Sequence, residues 1–334
     1  MQREVQFGSS LLRRIFMNRF PLRGIIALCI SVAATIVSVA TVAGFAGERG
    51  WYLDLFSHFR LQYLLSLIAA SIVLMMYKYR RVAVLCALFA AVNLFSMTWY
   101  LIPSLQPIKP PYDQIRVASL NVLTSNLQTD SVLRFIAEND PDVVFLMEVD
   151  DRWAAAIDSL SLEYPHHRVI PRSDNFGAAL YSKLPFESCE THEFGSATLP
   201  SIVARLVLDG STITVVGTHP LPPTAPVNSS LRDQQLAEVA TYLAEAAEPK
   251  VLIGDLNATP WSVPFRNLIA KSRLIDSGLG RGVRGTWPVG SLLLRIPIDH
   301  CLLSPDIAVL RRVIGRDIGS DHFPLVVDLA LPRK

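Results

Sequence analysis

The chain has 334 residues, of which 51% are hydrophobic and only 18% charged, with a formal net charge of +2. Soluble domains carry about a quarter charged residues, so a chain in contact with water throughout is excluded. The near-neutral total hides a basic part, +8 over residues 1–110, and an acidic remainder of −6, which predicts two regions with different solvents.

In chain order, residues 1–24 read as a basic cytoplasmic segment carrying Arg3, Arg13, Arg14, Arg19 and Arg23. An uncharged run follows at 25–46, long enough to cross a hydrocarbon core of about 30 Å. A second run at 58–77 extends back toward Phe56 if Arg60 snorkels to the interface, and a third occupies 82–102. Residues 25–102 are therefore expected to be three transmembrane helices, with Trp51, Tyr52, Tyr77, Tyr79, Trp99 and Tyr100 at their ends, where interfacial aromatics belong. Lys78, Arg80 and Arg81 fill the second link, while Arg49 in the first is balanced by Glu48 and Asp54. Positive flanks stay cytoplasmic. The N-terminus is thus expected inside and the rest of the chain beyond the inner or plasma membrane. The spans read chiefly as an anchor. Pro103, Pro107, Pro110 and Pro111 make 103–112 a stiff linker that is expected to lift the following domain off the membrane.

From residue 113 to 334 the pattern becomes short apolar runs separated by turns. Strands are predicted at 115–120, 143–146, 178–181, 203–208, 212–216, 251–253, 298–303 and 325–331. Helices are predicted at 132–139 and 231–247. The alternation implies a layered α/β domain. Cys301 lies within one of the strand runs and reads as a small buried hydrophobe. No metal-ligand cysteine spacing exists.

Six of these runs end in polar clusters: Ser119-Leu120-Asn121, Leu146-Met147-Glu148, Gly217-Thr218-His219, Gly254-Asp255-Leu256-Asn257, Ile298-Asp299-His300 and Gly319-Ser320-Asp321-His322. Any one of them alone would be a capping residue or a solvated strand end; it is the coincidence that points to a site. Glu148 is a hard oxygen ligand for a magnesium-like cation, with Asn121 and Asp321 able to complete or orient the metal shell. Asp255 is the candidate to orient or deprotonate an attacking water, and Asn257 offers an amide donor to an anionic transition state. His322 can donate to a phosphate oxygen, with Asp299 on its other nitrogen. His219 suits protonation of the leaving oxygen.

The stretch from Ile115 to Leu331 resembles the endonuclease/exonuclease/phosphatase superfamily, whose fold is that of pancreatic deoxyribonuclease. The Asn121 and Glu148 motifs, Gly254-Asp255-Leu256-Asn257 and Ser320-Asp321-His322 look like its signature blocks in the right order. The resemblance implies a four-layer sandwich of two packed mixed β-sheets flanked by helices. It also implies hydrolysis of a phosphate ester by in-line water attack with Mg2+ or Mn2+. By that resemblance Glu148 is the metal ligand with Asn121 and Asp321 near it, Asp255 and Asn257 handle water and phosphate, and Asp299 and His322 form a carboxylate–imidazole couple. His219 falls where the deoxyribonuclease and sphingomyelinase branches carry His. Many nucleases of the family place a second polar residue two positions after the first Asn, where this chain has Leu123, and the Pro-rich segment after His219 lacks a basic cluster.

The substrate reading rests on charge and place. A domain of net −6 has little with which to track duplex phosphates, and Arg281, Arg284, Arg295, Arg311, Arg312 and Arg316 read as solvated or phosphate-positioning side chains. A bilayer-anchored, extracytoplasmic site has lipid-linked phosphates within reach. The expectation is a membrane-anchored phosphoesterase acting on a lipid-linked or other extracytoplasmic phosphate. The alternatives are an extracytoplasmic nuclease and a non-catalytic membrane receptor with a decayed hydrolase domain.

Overall fold

The computed structural model describes residues 22–103, 110–209 and 211–333. Nearly all of the basic N-terminal segment and most of the Pro-rich linker lie outside them. Helix α1 (Leu22–Phe45) is followed by a short helical turn, Trp51–Asp54, and a 3-10 turn, Leu55–Phe59. Helices α2 (Arg60–Met76) and α3 (Arg80–Ser96) come next. Among the described residues, two helical stretches are long and apolar enough to cross a membrane: Leu22–Phe45, mean hydropathy 2.5, and Trp51–Met76, mean hydropathy 1.8. The third predicted span is shorter than expected. α3 has 17 residues and stops before Met97, where the Ser96 hydroxyl donates to the Asn93 carbonyl at 2.7 Å, a local bond that competes with helix continuation.

Two sequence expectations for this region are corrected. Arg60 does not snorkel. It is 1% exposed, its guanidinium donating to the Thr41 carbonyl at 3.1 Å and lying 3.8 Å from the Phe45 ring centroid. A buried cation needs such partners, and the bundle supplies them; Asn93 joins the same cluster by donating to Thr41 Oγ1 at 2.9 Å. Nor is the following domain held away from the helices. Gly280 N–H donates to the Trp99 carbonyl at 2.9 Å and Gly282 N–H to that of Tyr100 at 2.7 Å, and Tyr100 Oη donates to Asp276 at 2.9 Å. Trp261 and Val283 of the domain pack into the apolar core of the helices.

Beyond the helices the described residues form twelve strands in two six-stranded sheets. The first contains β1 (Tyr112–Asn121), β2 (Val143–Met147), β3 (His166–Ile170), β4 (Ala178–Ser182), β11 (Ala308–Ile314) and β12 (Leu325–Pro332), in the order β11-β12-β1-β2-β4-β3. The second contains β5 (Phe186–Glu193), β6 (Pro200–Leu208), β7 (Ser211–Gly217), β8 (Lys250–Asp255), β9 (Ile275–Asp276) and β10 (Asp299–Leu303), in the order β5-β6-β7-β8-β10-β9. All eight predicted strands are present. Strands β3 and β5 escaped prediction because their residues are largely half-exposed or exposed and carry few apolar side chains, β9 because it is only two residues long, and β11 because Arg311 and Arg312 interrupt its apolar run; pairing with a neighbour makes them strands.

Period-two alternation builds the layers. Val143, Phe145 and Met147 of β2 point between the sheets, meeting Val251 and Ile253 of β8. Val144 and Leu146 point outward onto α4 (Thr129–Asn139) and α5 (Asp151–Ile157), through Phe135, Ile136 and Trp153. On the other side Leu252 and Leu302 pack on α6 (Pro226–Glu245) and α7 (Val263–Ser272), through Leu236, Val239 and Phe265. The result is the expected four-layer sandwich.

Topology then gathers the polar strand ends. β1 and β2 run parallel and finish at one edge; β12, antiparallel to β1, begins there. In the second sheet β7 and β8 are parallel and β10 antiparallel to β8, so β7 and β8 end where β10 begins. The Asp255 N–H reaches Met147 Sδ at 3.1 Å, which brings the two edges together.

Candidate active site

All eight predicted residues belong to this edge. Six of them, His219, Asp255, Asn257, Glu148, Asp321 and His322, line one cavity of about 690 Å³. Asn121 and Asp299 sit directly behind it, each bonded to a lining residue.

Asp255 ends β8 and pairs in register with Asp299 of β10. Strand alternation sends Asp299 into the site and turns His300 away, where its Nε2 bonds the Ala258 carbonyl. Gly254 sets the approach: its φ is +143° and an added Cβ would lie 2.0 Å from the Thr218 carbonyl oxygen. Only glycine lets β8 come that close to the segment carrying His219.

Asp255 Oδ2 lies between two imidazoles, 3.5 Å from His219 Nε2 and 3.6 Å from His322 Nε2. Its Oδ1 accepts the Asn257 N–H at 2.8 Å, which holds Asn257 at φ +48°, a backbone that side chains other than glycine rarely adopt. Burial pushes the Asp255 carboxyl up, but the His322 charge, the His219 ring and the Asn257 N–H outweigh it, and the net shift is downward. His322 Nδ1 meets Asp299 Oδ2 at 2.9 Å. Burial alone would lower the His322 pKa; Asp299 and Asp255 reverse that and raise it to about 10. The imidazolium is therefore the resting form at neutral pH. Behind it the Ser320 hydroxyl donates to the Asn121 carbonyl at 2.7 Å, tying the His322 loop to β1.

Glu148 follows β2 with φ +63°. One carboxylate oxygen accepts Asn121 Nδ2 at 2.9 Å and the other the Thr124 N–H at 3.2 Å, while the Thr124 hydroxyl donates to the Glu148 carbonyl at 3.0 Å. Thr124 thus steadies the arm on which Leu123 is apolar; Leu123 contributes through its backbone, its N–H donating to Asn121 Oδ1 at 3.0 Å and its carbonyl accepting Trp153 Nε1 at 3.2 Å. Asp321 accepts Trp287 Nε1 through Oδ2 at 2.9 Å, and its Oδ1 is buried without a partner.

Asn257 differs from expectation in one respect. Its Nδ2 donates to the Pro220 carbonyl at 3.0 Å, so one of the two amide hydrogens is already used and one remains for a substrate oxygen. Sequence reasoning also missed Thr124, Trp287 and Phe176, whose ring centroid lies 5.2 Å from that of His219. None has a sequence signal, since each acts through a partner far along the chain.

Among the described residues, Asp255, Asp299 and His322 also form a group whose ligand atoms lie within 4.8 Å of one another. Two buried carboxylates, two imidazoles and two half-buried carboxylates thus meet at one cavity, a set of groups that can serve hydrolysis of a phosphate ester. The chain belongs to the Endonuclease/Exonuclease/phosphatase family, whose model matches residues 118–322. No curated protein sequence matches the chain. Similar solved structures include the human Nocturnin catalytic domain with bound sulfate (20% identity, TM-score 0.55, covering 67% of this chain and 99% of that one). TDP2 from D. rerio in complex with single-strand DNA product has 19% identity and a TM-score of 0.56, covering 65% and 99%. Sphingomyelinase C from Streptomyces griseocarneus has 18% identity and a TM-score of 0.50, covering 66% and 100%. At these identities the likeness is one of fold.

Proposed function

We propose that this chain is a membrane-anchored, divalent-metal-dependent phosphoesterase acting on a lipid-linked or other extracytoplasmic phosphate. The carrying observation is Asp255 seated between His219 and His322, with Asp299 behind one of them and Glu148 lining the same cavity.

Two donor sets compete for the metal. In the Asp255, Asp299 and His322 group, the last two are engaged with each other, and a protonated ring is no ligand. Glu148, Asn121 and Asp321 fit better, because the Glu148 and Asp321 carboxylates line the cavity and neither is paired with a histidine, whereas an unpartnered buried oxygen is common to Asp321 and Asp299. Held there, Mg2+ or Mn2+ would neutralise phosphate charge and polarise its oxygens. The chain's own residues do the rest. Asp255, held low, orients the attacking water. His322 donates to a phosphate oxygen, and the free Asn257 amide hydrogen to another. As the water oxygen bonds to phosphorus and the ester bond breaks, the water's proton is lost to the Asp255 side and His219 supplies one to the leaving oxygen.

Three features support a lipid-side substrate over duplex nucleic acid. Of the six arginines that could form a track, Arg281 and Arg295 are committed within the fold, donating to the Val309 carbonyl at 2.7 Å and the Val289 carbonyl at 2.6 Å, and Arg316 is paired at the surface with Glu138. Leu292, Leu293 and Leu294 are exposed, in a loop joined to α2 by Gln62 Nε2 donating to the Arg295 carbonyl at 2.8 Å. The basic loop between α2 and α3 favours a cytoplasmic side there, and with α3 and the 98–101 turn as a third crossing the domain is extracytoplasmic. The test is a panel of lipid phosphates, soluble phosphate esters and oligonucleotides offered to the full chain in detergent, with magnesium and with chelator. Metal-dependent release confined to oligonucleotides would make the chain a nuclease instead.

A further inference from the structure

One wall of the active-site cavity comes from outside the sandwich. Leu55, His58 and Phe59, in the turn that leads into α2, line it together with Phe176, Leu221 and Ile296. This turn is fixed to the domain rather than lying loosely against it. Asp54 Oδ1 accepts the Val263 N–H at 2.8 Å, and His58 Nδ1 lies 2.9 Å from Thr259 Oγ1. His58 is 5% exposed, and its Nε2 is buried with no hydrogen-bond partner. Docking uses Nδ1 alone, so the cost of burying Nε2 unpaired is unexplained by holding the turn in place. Substrate binding would explain it.

We propose that the membrane hairpin is part of the substrate pocket. His58 Nε2 is the hydrogen-bond partner of an oxygen on the head of the bound phosphate ester, and Leu55 and Phe59 are the wall for an apolar chain attached to that head. The assignment rests on the phosphoesterase reading above. It favours an alkyl chain over a nucleobase because the apolar wall is continuous with α2, itself part of a stretch apolar enough to enter a bilayer.

The experiment uses the full chain in detergent and two p-nitrophenyl phosphodiesters that share a leaving group, one methyl and one octyl. In each, water adds to phosphorus and p-nitrophenolate departs. The wild type is expected to favour the octyl ester about tenfold in kcat/KM, and the half-buried pair Leu55→Ala and Phe59→Ala together to cut that ratio to about twofold. His58→Gln places an amide nitrogen near the Nε2 position and is expected to keep most of the activity. His58→Asn reproduces the atom facing Thr259 and is expected to lose about tenfold on both esters. Equal wild-type rates on the two esters, or a ratio that survives the double substitution, overturn the chain-binding wall. Rescue by Asn as good as by Gln means the ring acts only through Thr259 and overturns its substrate contact. Should the His58 variants fail to fold, the Leu55 and Phe59 pair still decides. A single-stranded oligonucleotide that inhibits the wild type more strongly than the double variant reassigns the wall to a base. Absence of magnesium-dependent release from both esters defeats the phosphoesterase reading itself, and the inference with it.

Discussion

Asn121, Glu148 and Asp321 reach the active edge from the first sheet, and His219, Asp255 and Asp299 from the second. The two groups differ in solvent. Glu148 and Asp321 are half-buried at the cavity surface, whereas His219, Asp255, Asp299 and His322 are each 5% exposed or less. Charges in the second group feel one another strongly, and their protonation is set by neighbours rather than by water. Those in the first group keep oxygens facing the cavity, where a hard cation with its own waters can join them. His322 belongs to the first sheet by sequence and to the second by bonding, so it couples the two. On the proposed function, the comparison implies a division of labour in which one sheet binds phosphate charge and the other moves protons.

The largest expected effect tests the proton-handling side. Asp255→Ala is expected to lower kcat by about a thousandfold or more, with a circular dichroism spectrum like that of the wild type; wild-type turnover with magnesium would remove its assigned role. Next comes the binding side. Glu148→Gln is expected to raise the half-saturating magnesium concentration by about a hundredfold, read by titrating metal against initial rate, with a smaller change in the rate at saturation. A rate loss that no metal concentration restores would erase the distinction between the two sheets.

The link between them is read by pH. The folded His322 pKa is raised to about 10, so its stabilisation is fully present below the unfolded value of about 6.5 and is lost as pH rises through about 10. Asp255 is depressed, so its contribution is present above the unfolded carboxylate value and lost as pH falls through the folded one. Stability should therefore plateau between the unfolded carboxylate value and about pH 6.5 and decline from there toward pH 10. Asp299→Asn should pull the alkaline limb of the melting-temperature profile down toward neutrality while leaving the acid limb in place. The smallest effect belongs to the rim: Leu292→Ser with Leu293→Ser should slow hydrolysis of vesicle-borne lipid phosphate about threefold and leave a soluble ester unaffected.

Much of this was legible locally. Val143, Phe145 and Met147 alternate with Val144 and Leu146 in the sequence as they do in the sandwich, and each buried strand announces itself by its apolar run. The polar residue that ends such a run is equally visible, which is why Asn121, Glu148, His219, Asp255, Asp299 and His322 could be singled out together. Half-exposed strands such as β5 (Phe186–Glu193) were not legible, because their side chains sample both solvent and core and carry no period.

What the chain determined by itself was periodicity, the order of the motifs and the separation into an apolar third and an acidic domain. These are short-range properties, set by how neighbouring side chains partition between water and hydrocarbon. Only the tertiary structure decided which groups became partners: Asp255 between two histidines, Arg60 inside the bundle instead of at its rim, Trp99 and Tyr100 bound to the domain rather than only marking the end of a span, and His58 against Thr259, 201 residues away. The reason is that a buried polar atom must find its complement wherever the fold brings one, and that complement carries no mark in the sequence beside it.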